Sequence, residues 1–421
     1  MARSMTAAGQ NTCRWAFGTR LAPLVALLLA VASWRCPVAR AAIDSDITFE
    51  NYVSDGLPAR ASLAEPVDRG ARKLLPFAIL PQIGYGPETG AKAGLKFEGR
   101  DLFGGNTFID LNAIYAQQMQ AKGTLTVGNN RLWDRFMFYA SGNYFRDPSK
   151  EYFGIGNNNV GPEELANYDI KRTRIGFIFG YRILRRLALT VSGMYRESDV
   201  DPGKRDRSPH LQVFAPTLPG VHGAKSNYVA AAIVYNSRDE VVRPTQGWEV
   251  IGKFLSANSA IFNNNTDFSK LILDGSYTVP LVWRRQVFAL HGNMESIFGH
   301  SKDIPFFELS SLGGDDTMRG YWPDRFLGKG RMLFNAEYRL KLIDFTLRKL
   351  WDVTIDGVAF GDAGRVYKDG DDFVHHFFDH IRYSYGGGTR IGFSSGLVAR
   401  IDVGFSEEEK GLVYLTFGHT F

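Results

Sequence analysis

Between residues 331 and 342 the chain changes character at every step. Met332, Phe334, Ala336, Tyr338, Leu340 and Leu342 fall on one side of an alternation, and Arg331, Asn335, Glu337, Arg339 and Lys341 on the other. A strand turns successive side chains to opposite faces, so this segment has one apolar face and one charged face. Leu397 to Phe405 repeats the pattern, with Leu397, Ala399, Ile401, Val403 and Phe405 against Arg400 and Asp402. So does Ser269 to Tyr277, where Leu271, Leu273 and Tyr277 oppose Lys270, Asp274 and Ser276. Segments of about ten residues of this kind, separated by turn residues, are the mark of strands that cross an outer membrane. They predict strands beginning near residues 77, 89, 106, 120, 135, 170, 186, 226, 247, 266, 285, 331, 352, 383, 397 and 412. The number is even, as closure of a single antiparallel chain requires.

The connections carry a second regularity. Counted from the first strand, the long ones (146–169, 198–225, 298–330 and 366–382) are all odd, while even ones such as 182–185 and 394–396 are short. Outer-membrane barrels have short periplasmic turns and long external loops, which predicts periplasmic termini. A soluble β-sandwich also alternates, but it explains neither this parity nor a charged face on strand after strand. The predicted fold class is all-β: a transmembrane antiparallel β-barrel of sixteen strands in the bacterial outer membrane.

The first 42 residues differ from the rest. Arg3, Arg14, Arg20, Arg35 and Arg40 occur there without any acidic residue, an apolar run spans Leu21 to Trp34, and Ala39-Arg40-Ala41 follows. A basic start, an apolar middle and a small-x-small end predict a cleaved signal peptide over residues 1–42. The rival, an anchor helix, needs about 20 apolar residues, and this run is shorter. Residues 43–75, with Pro58, Pro66 and no periodicity, read as a short periplasmic extension before a barrel at 76–421. The formal charge of +5 is matched by the five leader arginines, so the mature chain is near neutral and nucleic acid is not an expected partner. Both cysteines, Cys13 and Cys36, leave with the leader, so no disulfide framework is expected.

Three stretches resemble one family. The loop before the twelfth strand reads Ser311-Leu312-Gly313-Gly314-Asp315-Asp316-Thr317-Met318-Arg319-Gly320-Tyr321. It is similar to the inward-folded loop of the BamA/TamA superfamily of outer-membrane assembly barrels, the bacterial surface antigen family, with Met318 where the family carries Val or Ile. Phe360-Gly361-Asp362-Ala363-Gly364 resembles the family's F-x-D-x-G strand end. Arg238-Asp239 followed by Pro244-Thr245-Gln246-Gly247 resembles its periplasmic turn. The resemblance covers about 76 to 421. Family members that fold or translocate proteins usually carry POTRA domains before the barrel, and residues 43–75 are too few for one. The expectation is therefore a POTRA-less member.

The residues themselves suggest two sites. If the loop folds into the lumen, the Arg319 guanidinium leaves bulk water and needs planar, bidentate acceptors. Asp362 shares the polar face of its strand with Asp356 and Thr354, and Glu337 points into the same lumen. The resemblance implies the Arg319–Asp362 contact, together with Phe360 and Gly364 of the motif. Gly320 would let the backbone pass closely and Tyr321 would pack on the inner wall. In a solvated external loop, by contrast, the ion pair would contribute only about 0–1 kcal/mol. The second site is the barrel seam. The first strand contains Pro81 and Gly84, and proline belongs on edges or at bulges. The last strand ends with Gly418 and an aromatic, Phe421, similar to the C-terminal signal read by the outer-membrane insertion machinery. For the family, the resemblance implies that this seam opens sideways; the bland account is a local kink in a closed barrel.

Other features carry less. His375, His376 and His380, or Asp369, Asp371 and Asp372, could be read as ion ligands, but acidic and histidine residues in an external loop are usually solvated. No Walker loop or H-E-x-x-H occurs, and no G-x-S-x-G stands on a strand-to-helix elbow. The expectation is a non-enzyme without cofactor or metal. Its partners would be outer-membrane lipid and lipopolysaccharide, the machinery that inserts the barrel, and a protein or lipid substrate. A closed barrel serving as antigen, adhesin or anchor, and a passive channel, are the alternatives.

Overall fold

A computed structural model of the chain describes residues 77–101, 106–157, 165–205, 208–240, 243–281, 285–347, 351–393 and 398–417. The predicted leader and periplasmic extension, and the seam residues Gly418 and Phe421, lie outside the described residues. The barrel strands are β1 (Phe77–Gly86), β2 (Gly90–Arg100), β3 (Thr107–Ala116), β4 (Ala121–Leu132), β5 (Phe136–Tyr152), β6 (Ala166–Leu184), β7 (Leu187–Pro202) and β8 (Tyr228–Asn236). They continue as β9 (Gly247–Ala257), β10 (Phe268–Pro280), β11 (Gln286–Phe298), β12 (Gly330–Leu347), β13 (Trp351–Tyr367), β14 (Arg382–Phe393), β15 (Val398–Ser406) and β16 (Leu412–Phe417). Each pairs antiparallel with the next, and β1 pairs with β16 to close a sixteen-stranded barrel. Ala224–Lys225 is a short extra rung on β7.

Burial is inverted relative to a soluble protein, because lipid meets the outer face and the lumen is filled by side chains. The largest fully buried side chains include Arg319, Arg325, Arg390, Arg400 and Lys253. Leu95, Tyr115, Phe177, Ile233 and Leu273 are exposed. On β8 the alternation is strict: Tyr228, Ala230, Ala232 and Val234 are buried, and Val229, Ile233 and Tyr235 face outward. Aromatic rings ring both ends of the apolar belt, as membrane interfaces favour. At the end with short connections, Trp248 stacks on Tyr277 with ring centroids 4.0 Å apart. At the end with long connections, Tyr85, Tyr115, Tyr383 and Tyr385 are exposed.

The structure lengthens two strands beyond expectation. The predicted 146–169 loop shrinks because β5 runs to Tyr152 and β6 starts at Ala166. A bulge between Asp147 and Lys150 marks where the alternation is lost. Beyond it both faces are covered, since Tyr152 and Tyr168 pack edge-on against Phe306 of the connection between β11 and β12. With Ile170, Val200, Leu211 and Val221 they form an apolar cap at this end of the barrel.

Candidate functional site: a loop locked in the lumen

Residues 299–329, between β11 and β12, form the longest connection. A three-rung ladder at its base, Ser310–Leu312 against Phe326–Gly328, closes it into a compact finger. At its tip Arg319 is 0% exposed. Its Nη2 and Nε donate to the two oxygens of Asp362 at 2.7 and 3.0 Å, and its backbone N–H donates to Oδ2 at 3.0 Å. Nη1 donates to Glu337 Oε1 at 2.5 Å. The guanidinium lies over the Phe360 ring, 3.6 Å from its centroid. Burial opposes the charge on Arg319, but Asp362 and Glu337 outweigh it and hold the guanidinium charged well above its ordinary range.

Backbone geometry lets the loop come this close. Gly320 has φ +106°, and a Cβ there would sit 2.8 Å from the Phe405 carbonyl group. Gly404 on β15 faces it: a Cβ would meet Arg319 C and Gly320 N at 2.6 Å. A Cβ on Gly364 would press on Leu312 and Met318 at 3.1 and 3.2 Å. Tyr321 is fully buried with Leu312, Met318, Phe326, Leu333 and Val366, its O–H donating to Tyr383 O at 3.2 Å. Ser406 and Tyr414 donate to the carbonyls of Gly320 and Tyr321 at 2.7 and 3.1 Å.

The structure thus brings Arg319, Gly320, Tyr321, Glu337, Phe360, Asp362 and Gly364 together on the inner faces of β12, β13 and β15. Several members of the cluster were not singled out from sequence. Arg390 of β14 spans Asp402 (2.5 and 3.2 Å) and Glu337 (3.2 Å), and Arg339 Nε donates to Glu337 at 2.8 Å. Arg400 reaches Asp315 of the loop at 2.7 Å. Asn335 lies opposite Asp362 in register and donates to it at 2.8 Å, and His291 bridges Asn335 and Asp274 at 2.9 and 2.8 Å. The hint was that Asp274, Asn335, Arg339, Arg400 and Asp402 lie on the polar faces of alternating strands; which strand's charges would meet was not readable. The buried guanidiniums of Arg319, Arg339, Arg390 and Arg400 face the buried carboxylates of Glu337, Asp362 and Asp402 and the partly exposed Asp315, so charge is balanced across the cluster. That balance is what a buried ion network needs to persist.

The residues of the turn between β8 and β9, expected to be periplasmic, form a separate structure. Arg238 donates to Glu249 at 2.6 Å, and Asp239 Oδ1 accepts the N–H groups of Thr245 and Gln246 at 2.9 and 3.2 Å. Gly247 closes the turn at φ +115°, where a Cβ would meet Ser237 O at 2.5 Å. Beside Pro244, Arg243 reaches back to Asp356 in the barrel wall at 2.8 Å. At the seam, Pro81 lies exposed opposite Leu95 of β2, and a Cβ on Gly84 would sit 2.8 Å from Leu415 O of β16. Among the described residues β1 and β16 meet in register at one position, Tyr85 opposite Leu415. By contrast, β12 and β13 pair from Gly330 opposite Tyr367 to Leu347 opposite Trp351, broken by a single bulge.

In the connection between β13 and β14, His375 lies 3.5 Å from Asp371 and His376 lies 2.8 Å from Asp379. Asp369 accepts from Asp372 N–H, and Asp372 also pairs with Arg365 at 2.8 Å. Among the described residues no group of three or more His, Cys, Asp or Glu is arranged to hold a metal ion. No helix among them is long and apolar enough to cross a membrane, and the chain crosses with strands.

An even, inside-out antiparallel barrel with a charged, loop-filled lumen defines an integral β-barrel of the outer membrane. Residues 101–421 match the Omp85 superfamily domain, and the chain belongs to that superfamily. The barrel superposes on BamA from Haemophilus ducreyi lacking POTRA domains 1-3 with TM-score 0.55 at 13% identity, over 82% of this chain and 70% of that one. It superposes on CdiB from Escherichia coli with TM-score 0.54 at 12% identity, over 83% and 66%. At such identities the likeness concerns the fold. No curated protein sequence matches the chain.

Proposed function

We propose that this barrel inserts or translocates a protein or lipid substrate at the outer membrane, through the seam between β1 and β16, and that it is not an enzyme. Superfamily membership supports the general role. The observation that carries the lateral route is the contrast between a lumen closed by a fully buried arginine and a seam paired at one described position. A substrate moving along the axis would have to extract Arg319 from two carboxylates, and removing one partner of a buried pair costs about 3–5 kcal/mol. Among the described residues β1 and β16 share fewer register positions than any other neighbouring pair of barrel strands. Pro81, Gly84, Gly418 and Phe421 are the proposed seam residues. Arg319, Gly320, Tyr321, Glu337, Phe360, Asp362 and Gly364 form the lumen lock, and Arg238, Asp239, Pro244 and Gly247 the supporting turn.

A disulfide across the seam tests this reading. Tyr85→Cys with Leu415→Cys, in a chain with Cys13 and Cys36 removed, should crosslink under oxidation. The outer-membrane permeability or growth phenotype of the producing cell should then be lost and should return on reduction. A complete crosslink that leaves the phenotype unchanged would overturn the lateral route in favour of a closed anchor or antigen.

A further inference from the structure

On the wall opposite the lock, β6 and β7 carry three arginines on their inward faces. In the antiparallel register Arg174 lies directly opposite Arg196, and Arg172 lies one inward position further along β6, opposite Ser198. Arg174 and Arg196 are each 7% exposed. Directly opposed like charges destabilise a sheet, and burial strengthens the repulsion, so their placement calls for a compensating anion. The structure supplies one from the loop: Glu308 accepts from Arg196 Nη1 at 2.6 Å. Burial alone would raise the Glu308 carboxyl, yet Arg196, Arg172 and Lys270 hold it below the ordinary range. Arg172 donates Nε to Ser198 at 3.2 Å, and its guanidinium stands 5.5 Å from the Phe307 ring. Arg196 is set 5.2 Å from Tyr228. All three guanidiniums line a cavity of about 420 Å³ that continues between the wall and the loop.

We propose that this patch is a binding site for a phosphate-type oxyanion, held by Arg172, Arg174 and Arg196, for which Glu308 is the built-in competitor. Planar guanidinium forks match the oxygens of a tetrahedral anion two at a time. A phosphate entering beside Arg196 displaces Glu308 and so releases one tether of the loop on the wall remote from Arg319. The site is independent of whether the seam opens. Two sources share the chemistry, free phosphate and a phosphorylated lipid headgroup.

The full chain in phosphatidylcholine nanodiscs, titrated calorimetrically with sodium phosphate against sodium chloride at matched ionic strength, tests the site. Saturable, phosphate-specific binding is expected. It should weaken about tenfold or more in R172Q/R174Q, and should tighten in E308Q, where the competitor has lost its charge. Heat-modified gel mobility of R172Q/R174Q equal to that of the parent shows that a loss of binding there is not a loss of fold. Nanodiscs containing phosphatidic acid separate the sources: suppression of the phosphate heat assigns the site to lipid headgroups, and an unchanged heat assigns it to the free anion. The proposal is overturned if neither parent nor E308Q binds phosphate above chloride and phosphatidic acid has no effect. It is overturned equally if R172Q/R174Q binds as the parent does, or if a hexaglutamate peptide binds the parent while phosphate does not compete.

Discussion

The wall formed by β12 to β15 and the seam between β1 and β16 belong to one barrel but are built on opposite terms. At the wall, long ladders are backed by a balanced ion network, a stacked aromatic ring and glycines that admit the loop backbone. At the seam one partner carries a proline and a glycine within an otherwise continuous strand, and the described pairing comes down to Tyr85 and Leu415. A closed barrel has no free edge to trade, so stability is distributed by how well each strand pair is paired and backed. Among the described residues the shortest ladder is left at the β1–β16 boundary, whose strand β16 still touches the lock through Tyr414 and the Tyr321 carbonyl.

The largest expected disturbance of this contrast is Arg319→Ala. It leaves Glu337 and Asp362 buried without their shared cation, a loss of about 3–5 kcal/mol. The loop should become cleavable by added protease near 315–321, and the barrel should conduct ions in a planar bilayer where the parent passes little current. A loop that stays protected in R319A would show that the apolar packing of Tyr321 and Met318 suffices. Gly404→Ala should act similarly but less strongly, about 1–3 kcal/mol, because its methyl group meets the Arg319 and Gly320 backbone. Heat-modified gel mobility and loop proteolysis read both. Unchanged behaviour would mean that β15 can shift to make room.

The smallest effect is a pH dependence. Asp315 beside it pushes the Asp316 carboxyl up to about 6, and its side chain is 74% exposed, so burial contributes little and the neighbouring charge is the cause that counts. A carboxyl whose value is raised on folding binds its proton more tightly in the folded state. The strain it represents is therefore present above pH 6 and is relieved as pH falls through about 6 toward the ordinary carboxylate value near 3.8. Asp316→Asn should make loop protection independent of pH between 5 and 8, with a gain well under about 1 kcal/mol at the upper end. Equal pH dependence in parent and D316N would assign the effect to another group.

Much of the barrel was legible in the sequence, for a physical reason. Lipid outside and charge inside force a period of two, so Arg331 to Leu342 announced both its conformation and its faces. Every strand starts within a few residues of its expected position, β6 furthest off, at Ala166 rather than near 170. That miss arose because beyond the bulge at Asp147–Lys150 both faces of β5 and β6 pack against protein, and the alternation that identifies a strand disappears. The residues around Arg319 came from motifs on distant stretches. The wider network did not, because Arg390 and Asp402 meet across neighbouring strands whose relative stagger no single segment encodes. The Arg174–Arg196 opposition was likewise hidden until the register was known.

Hydrogen exchange by mass spectrometry on the full chain in nanodiscs addresses the contrast between wall and seam most directly. Peptides covering 77–86 and 412–417 should exchange orders of magnitude faster than those covering 330–340 and 356–364, because opening the seam needs no disruption of the lock. Equal protection of the two regions would contradict the account, since a seam as firmly held as the locked wall could not serve as the barrel's opening.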